Sequence, residues 1–286
     1  MEHIVKSNNM YILTRFIRTL PHTYKCIKEY SYDIGIEQEK SLHDLFDELY
    51  YQCLLNINSD TFLDICAAPG TYSNYILEKN PNAHGVGISL CVSEGGCKFT
   101  AITHSSRYQQ VEKNIFHIDL ETYDPKYDFS IASCIPYNIS AKSSDQYKII
   151  YKSLLICLNS LKEHGTLLIN FSFKNMFFAI NFIYLIQHLF KKIKLFKSTK
   201  LWILQRTFYV IGYDFHRNEK YVNEIEKNFN DFETFYANYY DKLLPNIDRK
   251  SLDRIMKQFE RSVFMPQIKS YLHWMSDMID TNECSE

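Results

Sequence analysis

The chain has 286 residues, 46% hydrophobic and 23% charged, which suits one large α/β domain with an additional segment. Its net charge of −1 excludes a positive field over the whole surface, so any nucleic-acid binding must use local basic patches. Without a signal peptide, an apolar run of 18 residues or closely paired cysteines, we expect a cytoplasmic protein with reduced thiols.

The first two segments differ in charge. Residues 1–30 are basic and include Arg15 and Arg18, whereas residues 31–50 are mostly acidic. From Leu42 to Tyr50, apolar side chains recur at helical spacing, which predicts an amphipathic helix that packs on a sheet. We assign residues 1–39 to a basic, helical N-terminal extension.

Short apolar runs then alternate with helical patterns, which predicts a mostly parallel sheet with helices on both faces. Predicted strands span residues 61–65, 83–90, 114–118, 127–132, 166–171 and 208–213. Predicted helices span residues 71–78, 146–161 and 177–190, and His164-Gly165 is interpreted as the stop signal of the second.

Residues 216–286 are charged and aromatic, with apolar side chains at helical spacing. These side chains are Phe229, Phe232, Phe235, Tyr236, Ile255, Phe259 and Phe264. We predict a C-terminal helical appendage whose aromatic stripe is core or, alternatively, an interface for a partner protein.

The most informative segment is Asp64–Ser73, where a buried strand leads through small residues and a glycine into a helix. In an open parallel sheet, ligands bind beyond the carboxyl ends of the strands, and small residues let the backbone approach them closely. The G-x-G-x-x-G pattern of dinucleotide sites is absent from this segment. Its letters, D-x-x-A-A-P-G-x-x-S, resemble the methionine-binding motif of the FtsJ family of S-adenosylmethionine-dependent RNA ribose 2′-O-methyltransferases.

Two further segments extend the resemblance. Residues 85–90, with Gly95-Gly96, are similar to the second strand and loop of viral members, and residues 116–120 to a third strand whose aspartate contacts adenine. The resemblance implies a Rossmann-like methyltransferase domain at residues 40–215, with a mostly parallel seven-stranded sheet. It implies that S-adenosylmethionine contacts Asp64, Ala67, Ala68, Pro69, Gly70, Thr71, Tyr72, Ser73, Ile88, Asp119 and Ser133. No metal site is predicted.

The catalytic residues of the family are missing at the positions that match them. Active members use a Lys–Asp–Lys–Glu tetrad, in which a lysine takes the proton of the 2′-hydroxyl group. The four positions are occupied here by Leu45, Ser133, Asn170 and Thr207, and a one-step slip at the last offers only Arg206 or Gln205. Lys174 is a possible substitute, since it lies on the same face as Asn170 if the strand continues.

Residues 134–140, Cys-Ile-Pro-Tyr-Asn-Ile-Ser, are also similar to the fourth motif of rRNA adenine dimethylases. In that family an asparagine holds the amine of a flipped adenine and the tyrosine stacks on the base. Here Cys134 replaces the asparagine, and a thiol is a weak hydrogen-bonding partner. Tyr137 is still expected to border the substrate.

Lysines cluster before the last predicted strand, interleaved with Phe190, Phe196 and Trp202. The cluster comprises Lys191, Lys192, Lys194, Lys197 and Lys200. Such a segment suits a phosphate track with base stacking, or alternatively a solvated strand edge. With Arg15 and Arg18, it is a candidate RNA-binding groove.

Three functions stay open on this reading. The first is an active RNA methyltransferase, acting on a cap or a structured RNA without the usual tetrad. The second is a degenerate member that binds S-adenosylmethionine and RNA, or assembles a larger complex, without catalysis. The third is an adenine N-methyltransferase. The Lys-, Asn-, Ile- and Tyr-rich composition suggests a viral protein, located in host cytoplasm or the virion.

Overall fold

The computed structural model describes residues 37–53, 59–102, 105–120, 124–134, 143–172, 175–198, 207–270 and 272. Their strands are β1 (Thr61–Ile65), β2 (His84–Ser89), β3 (Tyr108–Glu112), β4 (Tyr127–Ala132), β5 (Leu161–Ser172), β6 (Phe190–Phe196) and β7 (Thr207–Phe215). They form one sheet in the order β3-β2-β1-β4-β5-β7-β6. Only β7 runs antiparallel to its neighbours, β5 and β6. The predicted Rossmann-like fold with a mostly parallel seven-stranded sheet is confirmed.

Helices cover both faces of the sheet, and each face has its own cluster of buried apolar side chains. They are α1 (Glu37–Cys53), α2 (Thr71–Lys79), α3 (Ser143–Ser160), α4 (Met176–Ile186), α5 (Glu219–Asn230), α6 (Phe232–Tyr239) and α7 (Arg249–Phe259). The clusters place α1 and α2 on one face and α3 and α4 on the other, where α5, α6 and α7 add a further layer. Every described helix is too short or too polar to cross a lipid bilayer.

The helix predicted around Leu42–Tyr50 is α1. Its apolar stripe packs as expected, because Leu45, Phe46 and Leu49 are buried in one cluster with Leu168 and Ile211 of the sheet. This packing holds α1 beside the strands that carry the site.

Two predicted boundaries are wrong. The third strand is Tyr108–Glu112, and the predicted stretch 114–118 instead contains a short 3₁₀ turn, Ile115–His117. The Asn114 side chain accepts a hydrogen bond from the Phe116 amide and so caps this turn. His164-Gly165 does not end α3, because β5 begins already at Leu161 and passes through His164 with φ of 65°.

Three lysines of the cluster before β7, Lys191, Lys192 and Lys194, lie in the strand β6 at the edge of the sheet. Lys191 and Lys192 are exposed, whereas Leu195 and Phe196 are buried. An edge strand needs only partial apolar character, so Lys191 and Lys192 match the alternative of a solvated strand edge.

The aromatic stripe of the C-terminal helices is core rather than interface. Phe232, Phe235, Phe259 and Phe264 are buried and belong to the same apolar cluster as α3 and α4. The described part of this segment is therefore integral to the fold.

Candidate functional site

The turn that follows β1 lies at the carboxyl end of a central strand of the sheet, as predicted. Gly70 has φ of 101°, a left-handed conformation that favours glycine, and its amide donates to the Ala67 carbonyl at 2.6 Å. A Cβ at Gly70 would lie 2.7 Å from Cγ1 of Ile102. The Gly70 carbonyl accepts a hydrogen bond from the Asn74 amide at 2.8 Å, and this bond starts α2 directly beyond the turn.

Two neighbouring segments hold this turn. The Ile88 carbonyl, at the end of β2, accepts from the amides of Cys66 and Ala67 at 2.8 and 3.1 Å. The predicted cofactor residue Ile88 thus supports the turn through its backbone. The Pro69 carbonyl accepts from the amides of Thr100 and Ala101 at 3.1 and 3.0 Å. Both interactions fix the backbone where a ligand is expected.

Asp64 is a buried carboxylate beneath the turn, with 1% of its surface exposed. Its Oδ2 accepts a hydrogen bond from the Ser73 hydroxyl at 2.7 Å, whereas Oδ1 has no partner among the described residues. Burial raises the pKa of Asp64 to about 7, although the bond from Ser73 opposes the rise. An incompletely satisfied buried acid is a candidate contact for a donor group of a ligand.

Tyr108 completes this cluster from β3. Its hydroxyl lies 2.8 Å from the Ser73 hydroxyl, and burial raises its pKa. The approach requires glycine at position 87, because a Cβ there would lie 1.7 Å from the Tyr108 oxygen. Gly87 therefore serves close packing of strands rather than a turn.

The structure brings two of the four tetrad positions together and buries three of them. Asn170 and Thr207 lie on paired strands with side chains on one face, and only 3% and 4% of their surfaces are exposed. Leu45 is fully buried on α1, and Ser133 is half-buried after β4. None of the four side chains carries a charge.

A neutral hydrogen-bond chain connects these positions to the turn. Nδ2 of Asn170 lies 3.4 Å from the Tyr209 hydroxyl, which lies 3.2 Å from the Tyr72 hydroxyl of α2. Burial raises the pKa of both tyrosines, so they stay protonated at neutral pH. Oδ1 of Asn170 and Oγ1 of Thr207 find no partner within the described ranges.

Comparison with known proteins decides the family. The sequence profile of FtsJ-like methyltransferases matches residues 42–235, more than half of the chain. The chain belongs to the FtsJ-like methyltransferase family. No curated protein sequence matches this methyltransferase.

Solved structures with similar folds include several methyltransferases. A protein described as a ribosomal RNA methyltransferase of Plasmodium falciparum is 16% identical, with 60% of this chain and 96% of that chain covered and a TM-score of 0.43. Human N-acetylserotonin methyltransferase is 9% identical, with 62% of this chain and 55% of that chain covered and a TM-score of 0.38. Fibrillarin, from a complex with Nop5p, is 12% identical, with 55% and 74% covered and a TM-score of 0.41. With TM-scores below 0.5, these likenesses say nothing about what this chain binds or does.

In this FtsJ-like methyltransferase, a disulfide joins the ends of β1 and β4. It links Cys66 to Cys134, and their Cα atoms are 5.3 Å apart. The prediction that all eight cysteines are reduced is therefore wrong for this pair. The Cys134 sulfur also lies 3.0 Å from the Ser153 hydroxyl, so it is not available to hold a substrate amine as the adenine dimethylase similarity would require. Residues 135–140, including Tyr137, lie outside the described residues.

Asp119 does not end a strand, because it follows the 3₁₀ turn Ile115–His117 and is exposed. Lys152 of α3 holds this turn by donating to the Ile118 carbonyl at 2.7 Å. Burial lowers the pKa of Lys152, and the charge of Asp119 opposes that shift. A contact between Asp119 and adenine stays a prediction.

The predicted RNA-binding lysines have separate environments. Lys191 pairs with Asp214 at 3.3 Å, Lys192 lies over the Tyr213 ring at 5.6 Å, and Lys194 donates to the Gln52 carbonyl. Lys197 is buried and donates to the Thr207 carbonyl at 2.8 Å, an arrangement that does not suit a surface phosphate contact. Arg15, Arg18, Lys174 and Lys200 lie outside the described residues.

Sequence reasoning missed the buried charges next to the tetrad positions. The Ser198 hydroxyl, next to Lys197, donates to Oε2 of Glu48 on α1 at 2.6 Å, and Glu48 is itself buried. Lys197 therefore contacts the backbone of Thr207, and Glu48, on the same helix as Leu45, contacts the next residue, Ser198. One sequence feature could have indicated Glu48: it follows Leu45 by three residues, so the two side chains lie on the same side of the helix.

Proposed function

We propose that this chain binds S-adenosylmethionine at the turn after β1 and binds RNA, but does not catalyse methyl transfer through the family's tetrad. It acts as an RNA-binding or assembly module. The observation that carries this proposal is the neutral, buried state of Asn170 and Thr207. We also propose that residues 1–39, 40–215 and 216–286 are the N-terminal extension, the methyltransferase domain and the helical appendage.

The residues of the turn fit the cofactor. The Oδ1 atom of Asp64 has no described partner although it is buried, and a carboxylate there suits the ammonium group of a bound amino acid. The strand–turn–helix segment from Asp64 to Ser73 would hold the methionine end. S-adenosylmethionine supplies an electrophilic methyl group when it is bound.

The proton that ribose methylation must remove has no acceptor at the tetrad positions. An amide such as Asn170 does not accept a proton at neutral pH, and its Nδ2 is directed to Tyr209. Tyr209 and Tyr72 have raised pKa values, so neither supplies an oxyanion. The general base of the family mechanism is therefore missing at all four positions.

A second candidate function is an active methyltransferase with a displaced base. It is favoured by Lys197, whose Nζ lies 2.8 Å from the Thr207 carbonyl oxygen. Lysine is a side chain that enzymes use as a general base, and Glu48 lies next to its neighbour Ser198. In that case the RNA hydroxyl would have to reach a group that is buried in this structure.

Two measurements separate these functions. Calorimetry with S-adenosylmethionine and S-adenosylhomocysteine tests the pocket, and transfer of a labelled methyl group to capped and uncapped RNA tests catalysis. We expect cofactor binding with no transfer above background. Transfer that is lost in Lys197→Met but kept in the control Lys162→Met would favour the second candidate. Absence of heat with either nucleoside would refute cofactor binding.

A further inference from the structure

A stripe of basic residues follows the outer face of α7 and the π-helical turn after it, Glu260–Phe264. All five cations are exposed: Arg249, Lys250, Arg254, Lys257 and Arg261. With Asp253, Gln258 and Ser262 they line an open groove of about 700 Å³. The opposite face of the helix, with Ile255, Met256 and Phe259, is buried.

The spacing of the stripe fits an extended polyanion. Lys250, Arg254, Lys257 and Arg261 follow one another at intervals of four, three and four residues, so they lie on one side of the helix. At 1.5 Å per residue, neighbouring cations of this series are about 4.5 or 6 Å apart along the helix axis, and the four together span about 17 Å. Lys and Arg at such intervals suit successive phosphate groups.

Neither the helix dipole nor ion pairing explains the stripe. Arg249 and Lys250 lie in the first turn of α7, where the helix dipole disfavours cations. No ion pair within 4 Å joins Arg249, Lys250, Lys257 or Arg261 to an acidic side chain in the described part of the chain. In a chain of net charge −1, the five cations outnumber Asp253, the acidic residue that lines the same groove, and so form a local positive field.

The stripe also leads towards the cofactor edge of the sheet. In the middle of the stripe, Arg254 donates to Gln187 directly after α4, at the end of that helix remote from the edge. Further along, Gln258 donates to the Ile193 carbonyl of β6 at 3.3 Å. Near its end, the Phe259 ring lies 5.3 Å from the ring of Phe208, which follows Thr207 in β7. Arg261 is therefore the cation of the stripe nearest the tetrad positions along the helix.

We propose that this groove binds the phosphate backbone of RNA and guides the strand towards the cofactor edge of the sheet. The inference rests on the RNA binding proposed above and assigns it to a surface that sequence reasoning did not identify. Recognition is through phosphate charge, so it is independent of base sequence and sensitive to salt.

The test measures binding of a fluorescent 20-nucleotide single-stranded RNA by anisotropy at several salt concentrations between 50 and 200 mM. The variant is Lys250→Glu/Lys257→Glu/Arg261→Glu, and the matched control is Lys220→Glu/Lys227→Glu/Lys242→Glu, with the same charge change at exposed lysines elsewhere. Loss of three phosphate contacts should lower the slope of log K against log salt by about two and weaken binding at least about tenfold at 100 mM. The control should stay within about twofold.

The outcomes are distinct. If the wild-type chain does not bind RNA at 50 mM salt, the proposed RNA-related function itself fails. If it binds and the groove variant matches the control, RNA binds elsewhere and the inference is overturned. Loss of binding to phosphatidylserine vesicles with unchanged RNA binding would also overturn it. If the glutamate variant has a lowered melting temperature, the glutamine variant at the same three positions serves in its place.

Discussion

Replacing Asp64 by Asn should stabilise the protein at alkaline pH while weakening cofactor binding. Burial holds the pKa of Asp64 at about 7, against 3.8 for an unburied carboxyl group. The folded state therefore binds more protons than the unfolded state between about pH 4 and pH 7, and the free energy of unfolding falls as pH rises through this range. A difference of about three units between the folded and unfolded pKa corresponds to about 4 kcal/mol of stability, which is lost in full above pH 7.

Asparagine removes this loss because it carries no charge to desolvate. Its amide hydrogens need an acceptor in a buried site, which costs about 1–3 kcal/mol, so we expect a net gain of about 2 kcal/mol at pH 8. That gain corresponds to a rise of about 3 °C in Tm for a chain of this size. Urea unfolding at pH 4.5, 6, 7 and 8 measures the free energy, and calorimetry measures S-adenosylmethionine binding.

Asp128→Asn is the matched control, because the pKa shift of Asp128 has the opposite direction to that of Asp64. Burial alone would raise the pKa of Asp128, but hydrogen bonds from Thr61 and Lys162 hold it below the usual value. Asp128 therefore contributes stability that is present above its unfolded pKa and lost as pH falls. We expect Asp128→Asn to destabilise the chain at pH 8. If wild-type stability does not fall between pH 4.5 and 7, or if Asp64→Asn is the less stable protein at pH 8, the account of a desolvated carboxylate is wrong.

Two further substitutions and one reduction experiment test the packing around the site. Tyr209→Phe removes the hydroxyl that lies near Asn170 and Tyr72, so it should lower the free energy of unfolding by about 1–3 kcal/mol. An unchanged free energy in urea unfolding would contradict the hydrogen-bond chain. Gly87→Ala places a methyl group against the Tyr108 hydroxyl and should lower the free energy of unfolding by about 1–3 kcal/mol. Its control is Gly95→Ala, where no atom lies within 4 Å of the added Cβ, so any loss of stability comes only from backbone strain. Reduction of the disulfide between Cys66 and Cys134, which spans 68 residues, should lower stability by up to about 4 kcal/mol. Cys66→Ser/Cys134→Ser should show no such response to reductant, and an equal response in both proteins would argue against the bond.

The strand–turn–helix segment was predictable because its signal is local. Small residues, a glycine and a helix start within ten residues specify one backbone path, and Gly70 adopts the left-handed conformation that this path requires. The same holds for α1, β1 and β4, whose apolar patterns match their burial. Local patterns of this kind predicted the fold class and most of the elements.

Other features were not predictable because they depend on distant parts of the chain. The end of β3 was misplaced since the apolar run around Ile115 packs as a capped turn, which moves Asp119 away from a strand end. Lys197 looked like a surface lysine, yet pairing of β6 with β7 buries it beside Thr207. Neither result could be read from the residues next to these positions.

By itself, the sequence determined the turn after β1 and the alternation of strands and helices, because each depends on residues close together in the chain. It also has neutral side chains at the four positions that we predict to match the tetrad. Only the tertiary structure decided which buried groups meet. Pairing of strands far apart in sequence brings Cys66 to Cys134, Asn170 to Tyr209 and Lys197 to Thr207, and the basic face of α7 was revealed only when its opposite face was buried. Side-chain exposure is set by the sheet and its covering helices together, so these charges and thiols acquire their roles only in the folded chain.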